Sequence, residues 1–560
     1  MKKVSVCDIE ATQWINFACI GFFDGEEYEV FWSIEGFIDK FLSKKYKGYI
    51  CYAHFGGRYD FRFIIPPLID SGKYDLFFIE RGSKILSIKI REKKTKMTWT
   101  LLDSYFLLPM SLKELGKNFQ IKYMKLGFDV ETCTKAEHFN TPEAQLYLRN
   151  DCLGLYEILE KFSNWGLNNG KLKRTLPSQS LHVFTTQFLK TKLLSLSDDQ
   201  EEFVRRCYFG GRVEIFKMYG QDLNYYDVNS EYPRVMCEDM PTGRAVNVCQ
   251  YYPDKIGFYE VEADVPNLLI PPLPVVINKK LFFPTGRGTF FSNTAELELL
   301  KELGGTFRVK RGVIFEKREP IFKEYVLAMW QIRQSFPSGT MENLIAKLLS
   351  NSLYGKTGQK RTNTELIFST EPQVGLTPFD EEFGLYTREK QSRSQYILPY
   401  LSAYVTALAR VYLFRYFQKV GFENVYYCDT DSIITSKTLP TGKNLGELKL
   451  EQRIKEGCFL QPKAYAFSTI DGQEVVKVKG MREIQLSTAD FIKAQKSGDL
   501  RSIKSEYKML MGFRESLRRK RTLEMTRISV TKNMRNSYDK RSIKNELTFP
   551  FEYSTIISVK

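Results

Sequence analysis

Short apolar runs dominate the start of the chain, and longer periodic stretches follow. Residues 3–10 (KVSVCDIE), 17–23 (FACIGFF) and a segment near 28–32 predict strands, and 49–53 (YICYA) predicts a buried one. Residues 142–162 carry Pro at the first turn and apolar residues at 146, 148, 153, 155, 158 and 159, which predicts a helix. Strands closed by a helix predict one α/β unit to about residue 165. A Gly/Asn/Pro/Ser-rich connector, NWGLNNGKLKRTLPSQS, comes next. Beyond it, 221–228 (QDLNYYDV) predicts a strand ending on Asp, 255–315 predicts short strands and turns, and 320–354 predicts a long helical stretch. Residues 356–395 are polar and loop-like, and 399–420 are again helical. ENVYYCDTDSIITS predicts strand, tight turn, strand, with CDTDS at the apex. No internal repeat or low-complexity tract interrupts the pattern.

Composition changes this picture in three ways. The 560 residues carry 82 Lys+Arg against 66 Asp+Glu, a net charge of +16, with 14% aromatic residues. That length suggests three to four structural units. The charge fits either a polyanionic partner or a surface that is basic only for solubility. Much of it is local: residues 501–548 hold 14 Lys/Arg and 5 Asp/Glu, which favours a surface for a nucleic-acid backbone over a merely solvated helical face. Only three histidines occur, far apart, which disfavours a His-rich zinc site or a Ser-His-Asp hydrolase and leaves carboxylates as metal ligands, hence Mg²⁺ or Mn²⁺. The ten cysteines stand singly, as in a reducing cytosol. The opening MKKVSVCDIEAT has no apolar run, so no signal peptide is expected, and no stretch is apolar enough to predict a membrane helix.

Making or cleaving a phosphodiester calls for two divalent ions held by Asp or Glu. Asp429 and Asp431 flank Thr430 at the predicted hairpin apex. Such a pair is common on solvated turns, but here apolar strand formers stand on both sides, where unpaired carboxylates are costly without a cation. Asp227, at the end of another strand, is the candidate partner. In the first unit Asp8 and Glu10 alternate on one strand and so share a face.

These segments, taken in order, resemble a known family. DVNSEYP (227–233), KLLSNSLYG (347–355) and YCDTDS (427–432) resemble motifs A, B and C of family B DNA polymerases. Lys463-Ala464-Tyr465 resembles the KxY motif, and Tyr208-Phe209-Gly210-Gly211 resembles the YxGG motif. Asp8-Ile9-Glu10, the stretch His54 to Asp60, and Tyr147 to Asp151 resemble the three motifs of DEDD 3′–5′ exonucleases. The length is similar to that of the compact protein-primed polymerases of bacteriophages and linear plasmids. Their two insertions, TPR1 and TPR2, find room in the 119 residues between Asp227 and Lys347 and the 43 between Gly355 and Pro399.

The resemblance implies a multidomain α/β fold: a ribonuclease H-like exonuclease domain (1–165), a connector (166–207), palm (208–261), TPR1 (262–320), fingers (321–355), TPR2 (356–397), the end of the fingers with the rest of the palm (398–480), and a basic thumb (481–560). It implies template-directed DNA synthesis with proofreading and strand displacement, primed by a terminal protein; the same fold working without one, and an exonuclease or DNA-binding scaffold with an inactive polymerase site, are the alternatives. Two Mg²⁺ or Mn²⁺ per site would sit on Asp227, Asp429 and the Val228 carbonyl, with Asp431 supporting, and on Asp8, Glu10, Asp60 and Asp151, with Tyr147 orienting water. The resemblance assigns Lys347, Asn351, Tyr354 and the steric gate Tyr232 to the dNTP. It assigns Lys463, Tyr465, Tyr208, Gly210, Gly211, Ser111 and Leu112 to DNA. Implied partners are primer-template DNA, dNTPs and a terminal protein, for a monomer with no membrane association in the cytoplasm, that of a bacterial host if phage-encoded. Three departures stand out. Phe55-Gly56-Gly57 occupies the place of an Asn, Ala11 that of a Thr, and Glu231 that of a Leu. The first two imply a competent exonuclease with altered primer-end binding.

Overall fold

The computed structural model describes residues 3–82, 84–371, 374–392, 394–481, 484–518, 527–534 and 538–558. Its first body is a ten-stranded mixed sheet. Strand Val4–Thr12 lies in its interior, antiparallel to Asn16–Phe23 and parallel to Ile50–Ala53, which in turn runs parallel to Thr98–Asp103. Val4–Thr12 is buried on both faces apart from the half-buried Asp8, although Ser5, Glu10 and Thr12 stand among its apolar residues. The helix Pro142–Asn164 covers one face; Pro142 opens it and the Thr141 side chain accepts from Ala144 N–H at 3.3 Å.

The second body is a seven-stranded sheet, in the order Glu474–Val478, Ala464–Thr469, Leu448–Gln461, Tyr219–Val228, Ser432–Thr435, Val425–Asp429, Val213–Ile215. Helix Pro399–Val420 packs against its core. A four-stranded antiparallel sheet (Met240–Val248, Thr306–Glu319, Gly257–Val265, Gly286–Asn293) stands beside it. Among the described residues no helix is long and apolar enough to cross a membrane.

Several segments differ from their sequence-based expectation. The loop-like stretch 356–395 forms three strands, Thr362–Phe368, Thr377–Asp380 and Leu385–Gln391, and Leu366–Phe368 pairs with Leu76–Phe78 of the first sheet. Only the ends of these strands that meet that sheet are buried, so their sequence stays polar. The predicted helical stretch 320–354 is two helices, Lys323–Ser335 and Met341–Thr357: Phe336 is extended before Pro337, which disfavours helix at the residue it follows. Within 255–315 a helix, Thr294–Glu302, and a 14-residue strand replace part of the expected turns. The connector yields a helix, Leu176–Val183, capped by Thr175.

The basic C-terminal stretch is a pair of two-stranded ribbons, Lys504–Leu510 with Arg527–Asn533 and Arg541–Lys544 with Leu547–Pro550. It is not uniformly a surface. Arg541 is fully buried, with Glu214 at 3.6 Å, and Arg514 pairs with Glu80 of the first sheet. Arg519, Lys520, Arg521 and Arg535 lie outside the described residues.

Candidate active sites

In the first sheet, Asp8 and Glu10 project from strand Val4–Thr12, and Asp151 faces them from helix Pro142–Asn164. Donor atoms of these three lie within 4.8 Å of one another. Asp60 does not join them at that distance; it stands just before helix Phe61–Asp70, where Oδ1 accepts from Ile9 N–H at 2.9 Å. Burial first, and mutual repulsion second, push Asp8 well above the usual carboxylate range and Glu10 up to about 8. Burial raises Asp60 to about 7 and also raises Asp151, whose Oδ1 has no hydrogen-bond partner. A crowded, all-oxygen, under-partnered set of this kind fits hard divalent cations.

Two groups here escaped the sequence reading. The Lys125 ammonium donates to the Tyr147 hydroxyl at 2.8 Å and to the Asp151 carboxylate, supplying a resident positive charge. Asp103 ties the second-motif loop down by accepting from Gly57 N–H at 3.2 Å and Tyr105 N–H at 2.9 Å. That loop is tight: a Cβ on Gly57 would stand 1.6 Å from the Ile85 carbonyl oxygen. His54 bridges Ser104 Oγ and the Met110 carbonyl, and burial lowers its pKa to about 4, so it is a neutral tether. Ser111 and Leu112 follow Met110 directly at the start of helix Leu112–Phe119, and the exposed Ser111 is engaged as its cap with Glu114.

In the seven-stranded sheet, Asp227 lies opposite Ser432, and Asp429 pairs with the same Ser432 across the two-residue turn Thr430-Asp431. Thr430 takes a left-handed φ of 65°, and its N–H donates to the Arg212 carbonyl at 2.8 Å. Gly211 is required beside this turn, since a Cβ there would stand 2.7 Å from Thr430 Cγ2 and 3.1 Å from the Tyr232 hydroxyl. Burial, then Asp431, raises Asp227 to about 7; burial, then Asp429, raises Asp431. The Lys463 ammonium lies 2.9 Å from Asp429 Oδ1.

Two cavities meet at these acids. One, of about 790 Å³, is lined by Asp227, Asp429, Asp431, Lys463 and Tyr465 among others. The other, of about 510 Å³, is lined by Asp227, Val228, Tyr232, Lys347, Asn351, Tyr354 and Asp431. Tyr232 and Tyr354 stack at 4.6 Å, nearly parallel. Arg333, missed in the sequence because it sits inside a helical pattern, also lines the second cavity and donates to Ser230 Oγ at 2.8 Å. Glu231, which also lines this cavity, is 1% exposed with both carboxylate oxygens unpartnered, and burial pushes its pKa well up, so it is a neutral acid. Tyr208 lies near Tyr354 through Ser402, which also donates to the Tyr354 carbonyl at 2.6 Å, and it lines a further cavity with Arg205 and Arg206; the exposed Gly210 offers its carbonyl to Arg410.

A carboxylate-centred mixed sheet joined to a second, palm-like sheet with its own acids is an architecture shared with solved polymerase structures. Phi29 DNA polymerase in an orthorhombic crystal form aligns with a TM-score of 0.75 at 20% identity, over 96% of this chain and all of that one. The same enzyme complexed with primer-template DNA and incoming nucleotides aligns equally well, at 21% identity. By sequence, a probable DNA polymerase of Ascobolus immersus is 28% identical over 86% of this chain, and the DNA polymerase of Bacillus phage phi29 is 26% identical over 66% of it and 68% of its own length. The family model for DNA polymerase type B, organellar and viral, matches residues 41–144 and 131–437, and the chain belongs to that family. It spans about half the length of the Ascobolus and Podospora relatives, 47% and 49%.

Proposed function

We propose that the chain is a DNA-directed DNA polymerase with a 3′–5′ proofreading exonuclease, replicating a phage or linear-plasmid genome from a terminal-protein primer with strand displacement. The domain division given above, with the exonuclease in 1–165 and TPR1 and TPR2 at 262–320 and 356–397, belongs to this reading. One observation carries it: Asp227 and Asp431 are shared by two cavities, one flanked by groups suited to a triphosphate and the other by groups suited to a primer end.

Divalent cations, Mg²⁺ or Mn²⁺, held by Asp227, Asp429 and the Val228 carbonyl, and by Asp8, Glu10, Asp60 and Asp151 in the exonuclease, would acidify the attacking hydroxyl or water and neutralise charge on the leaving group. The Lys347 ammonium and Arg333 guanidinium hold the triphosphate by charge. Tyr354 offers its ring to the nascent base pair. Tyr232, stacked beneath it, fills the space a 2′-hydroxyl would need. Lys463 and Tyr465 hold the primer strand, and Lys463 balances Asp429 until the cations arrive. In the exonuclease Tyr147 orients the attacking water while Lys125 offsets the crowded acids.

The test is extension of primed circular single-stranded DNA with Mg²⁺ and dNTPs, beside Asp429→Ala. Long strand-displaced product from the wild type alone is expected. No incorporation by the wild type would refute the polymerase reading; product that stops at the first duplex would refute strand displacement only.

A further inference from the structure

We propose that Trp14 is a stacking platform for an unpaired base of single-stranded DNA at the mouth of the exonuclease centre; the proposal rests on the exonuclease reading above. The strand that carries Asp8 and Glu10 runs to Thr12, turns through Gln13 and Trp14, and returns as Asn16–Phe23. Ile15 N–H donates to the Thr12 carbonyl at 3.2 Å, closing the turn. Gln13 and Trp14 both take left-handed φ, 50° and 66°. Tight hairpin turns of that hand normally use Asn-Gly or a related pair, because a Cβ is disfavoured there. An indole held in such a conformation is strained, and strain of this kind concentrates at functional sites.

Position supplies the ligand. Trp14 is 41% exposed and meets the ring of Tyr59 edge-on at 6.1 Å; Tyr59 immediately precedes Asp60. Exposure alone would argue nothing, since Trp32 is 46% exposed with no left-handed φ and no place beside the acids. On the loop before Asp60, Phe55 also takes a left-handed φ of 63° and stacks on Tyr105 at 4.2 Å, with the Lys84 ammonium 5.1 Å over the Tyr105 ring. Arg58, between Phe55 and Tyr59 in sequence, is exposed and lies near Lys84. Rings alternating with cations around a carboxylate centre suit a single strand, whose bases stack and whose phosphates need positive charge. Phe55 opens the stretch Phe55-Gly56-Gly57 that occupies the neighbourhood of a family Asn, and it brings a stacked ring to this rim.

The experiment measures binding of a short single-stranded DNA oligonucleotide to the full chain carrying Asp8→Ala and Asp60→Ala, with and without Trp14→Asn. Trp14→Asn is expected to weaken binding about tenfold, within the range of one base stacked on one ring. It should leave the melting temperature unchanged or raised, because Asn takes left-handed φ readily. Trp14→Phe should keep most of the affinity. With Trp14 present, an oligonucleotide with one abasic site near its 3′ end should bind more weakly than the intact one, and Trp14→Asn should erase that difference. Unchanged affinity, a retained abasic difference, or a parallel fall in affinity and melting temperature would each overturn the proposal. Degradation of the same oligonucleotide by the wild type is followed alongside. Its absence would refute the exonuclease reading, while the binding comparison still reads Trp14.

Discussion

The two acidic centres hold similar residues in opposite surroundings. Glu10, Asp60 and Asp151 are buried, gathered from a strand, a loop and a helix, and already have Lys125 among them. Asp227, Asp429 and Asp431 are half-buried, come from two strands of one sheet that flank Ser432–Thr435 and from the turn between Asp429 and Ser432, and open onto two cavities. A closed centre concentrates electrostatic energy on a small ligand such as a frayed end. An open one leaves room for a duplex and a triphosphate, with less stored repulsion. On the proposed reading, the same chemistry is thus placed in a tight trap and on a broad table.

The largest effect should come from exchanging one centre for the other. Asp429→Ala is expected to reduce nucleotide incorporation by about a thousandfold or more while sparing degradation of single-stranded DNA, and Asp8→Ala with Asp60→Ala to do the reverse. Paired primer-extension and degradation assays read both; cross-inactivation would break the independence of the two centres. Next, Lys125→Ala should slow degradation by about a hundredfold without touching incorporation, as loss of a preorganised charge does. The equivalent loss in the open centre, Lys463→Ala, should appear instead as weaker primer binding in a titration of extension rate against DNA. Smaller again, Tyr232→Ala should raise ribonucleotide insertion about tenfold relative to deoxyribonucleotide, measured as a ratio of kcat/KM values.

The smallest effect concerns pH. The raised carboxyls favour the metal-free folded chain below the ordinary carboxylate range, and that support is lost as pH rises through about 7 to 8, where Asp60, Asp227 and Glu10 ionise. Without metal, the melting temperature should therefore fall by about a few degrees from pH 5.5 to 8.5, and Mg²⁺ should restore it more at the alkaline end. Glu10→Gln should flatten this slope more than Asp227→Asn. An equal flattening would erase the contrast between the closed and open centres.

What the sequence made visible follows the same division. Asp8 with Glu10, and Asp429 with Asp431, stand out because two-residue spacing on a strand puts both acids on one side, and apolar neighbours mark the strand as core. Lys125 carries no such mark. It lies in a polar loop and gains meaning only when folding brings Asp151 and Tyr147 to it. Arg333 hides in an amphipathic helix, and Asp103 looks like a strand end. The strands of 362–391 were illegible for a physical reason, since a strand that buries only one end shows no alternation over its length. The basic surplus at 501–548 predicts surface, yet Arg541 spends its charge inside the protein on Glu214, whose strand pairs with that of Asp429.

The late strands of the first sheet also set a timetable. Tyr74–Arg81 waits for Thr362–Phe368 to cover the edge at Leu76–Phe78. At a synthesis rate of ~5–20 residues per second, that edge stays bare for on the order of half a minute after it leaves the ribosome. During that interval a nascent chain offers a ready-made template for pairing with its neighbours on the same message. The first sheet is therefore sealed by a strand from far later in the chain, and a chain truncated before residue 362 would keep the opening for its whole lifetime.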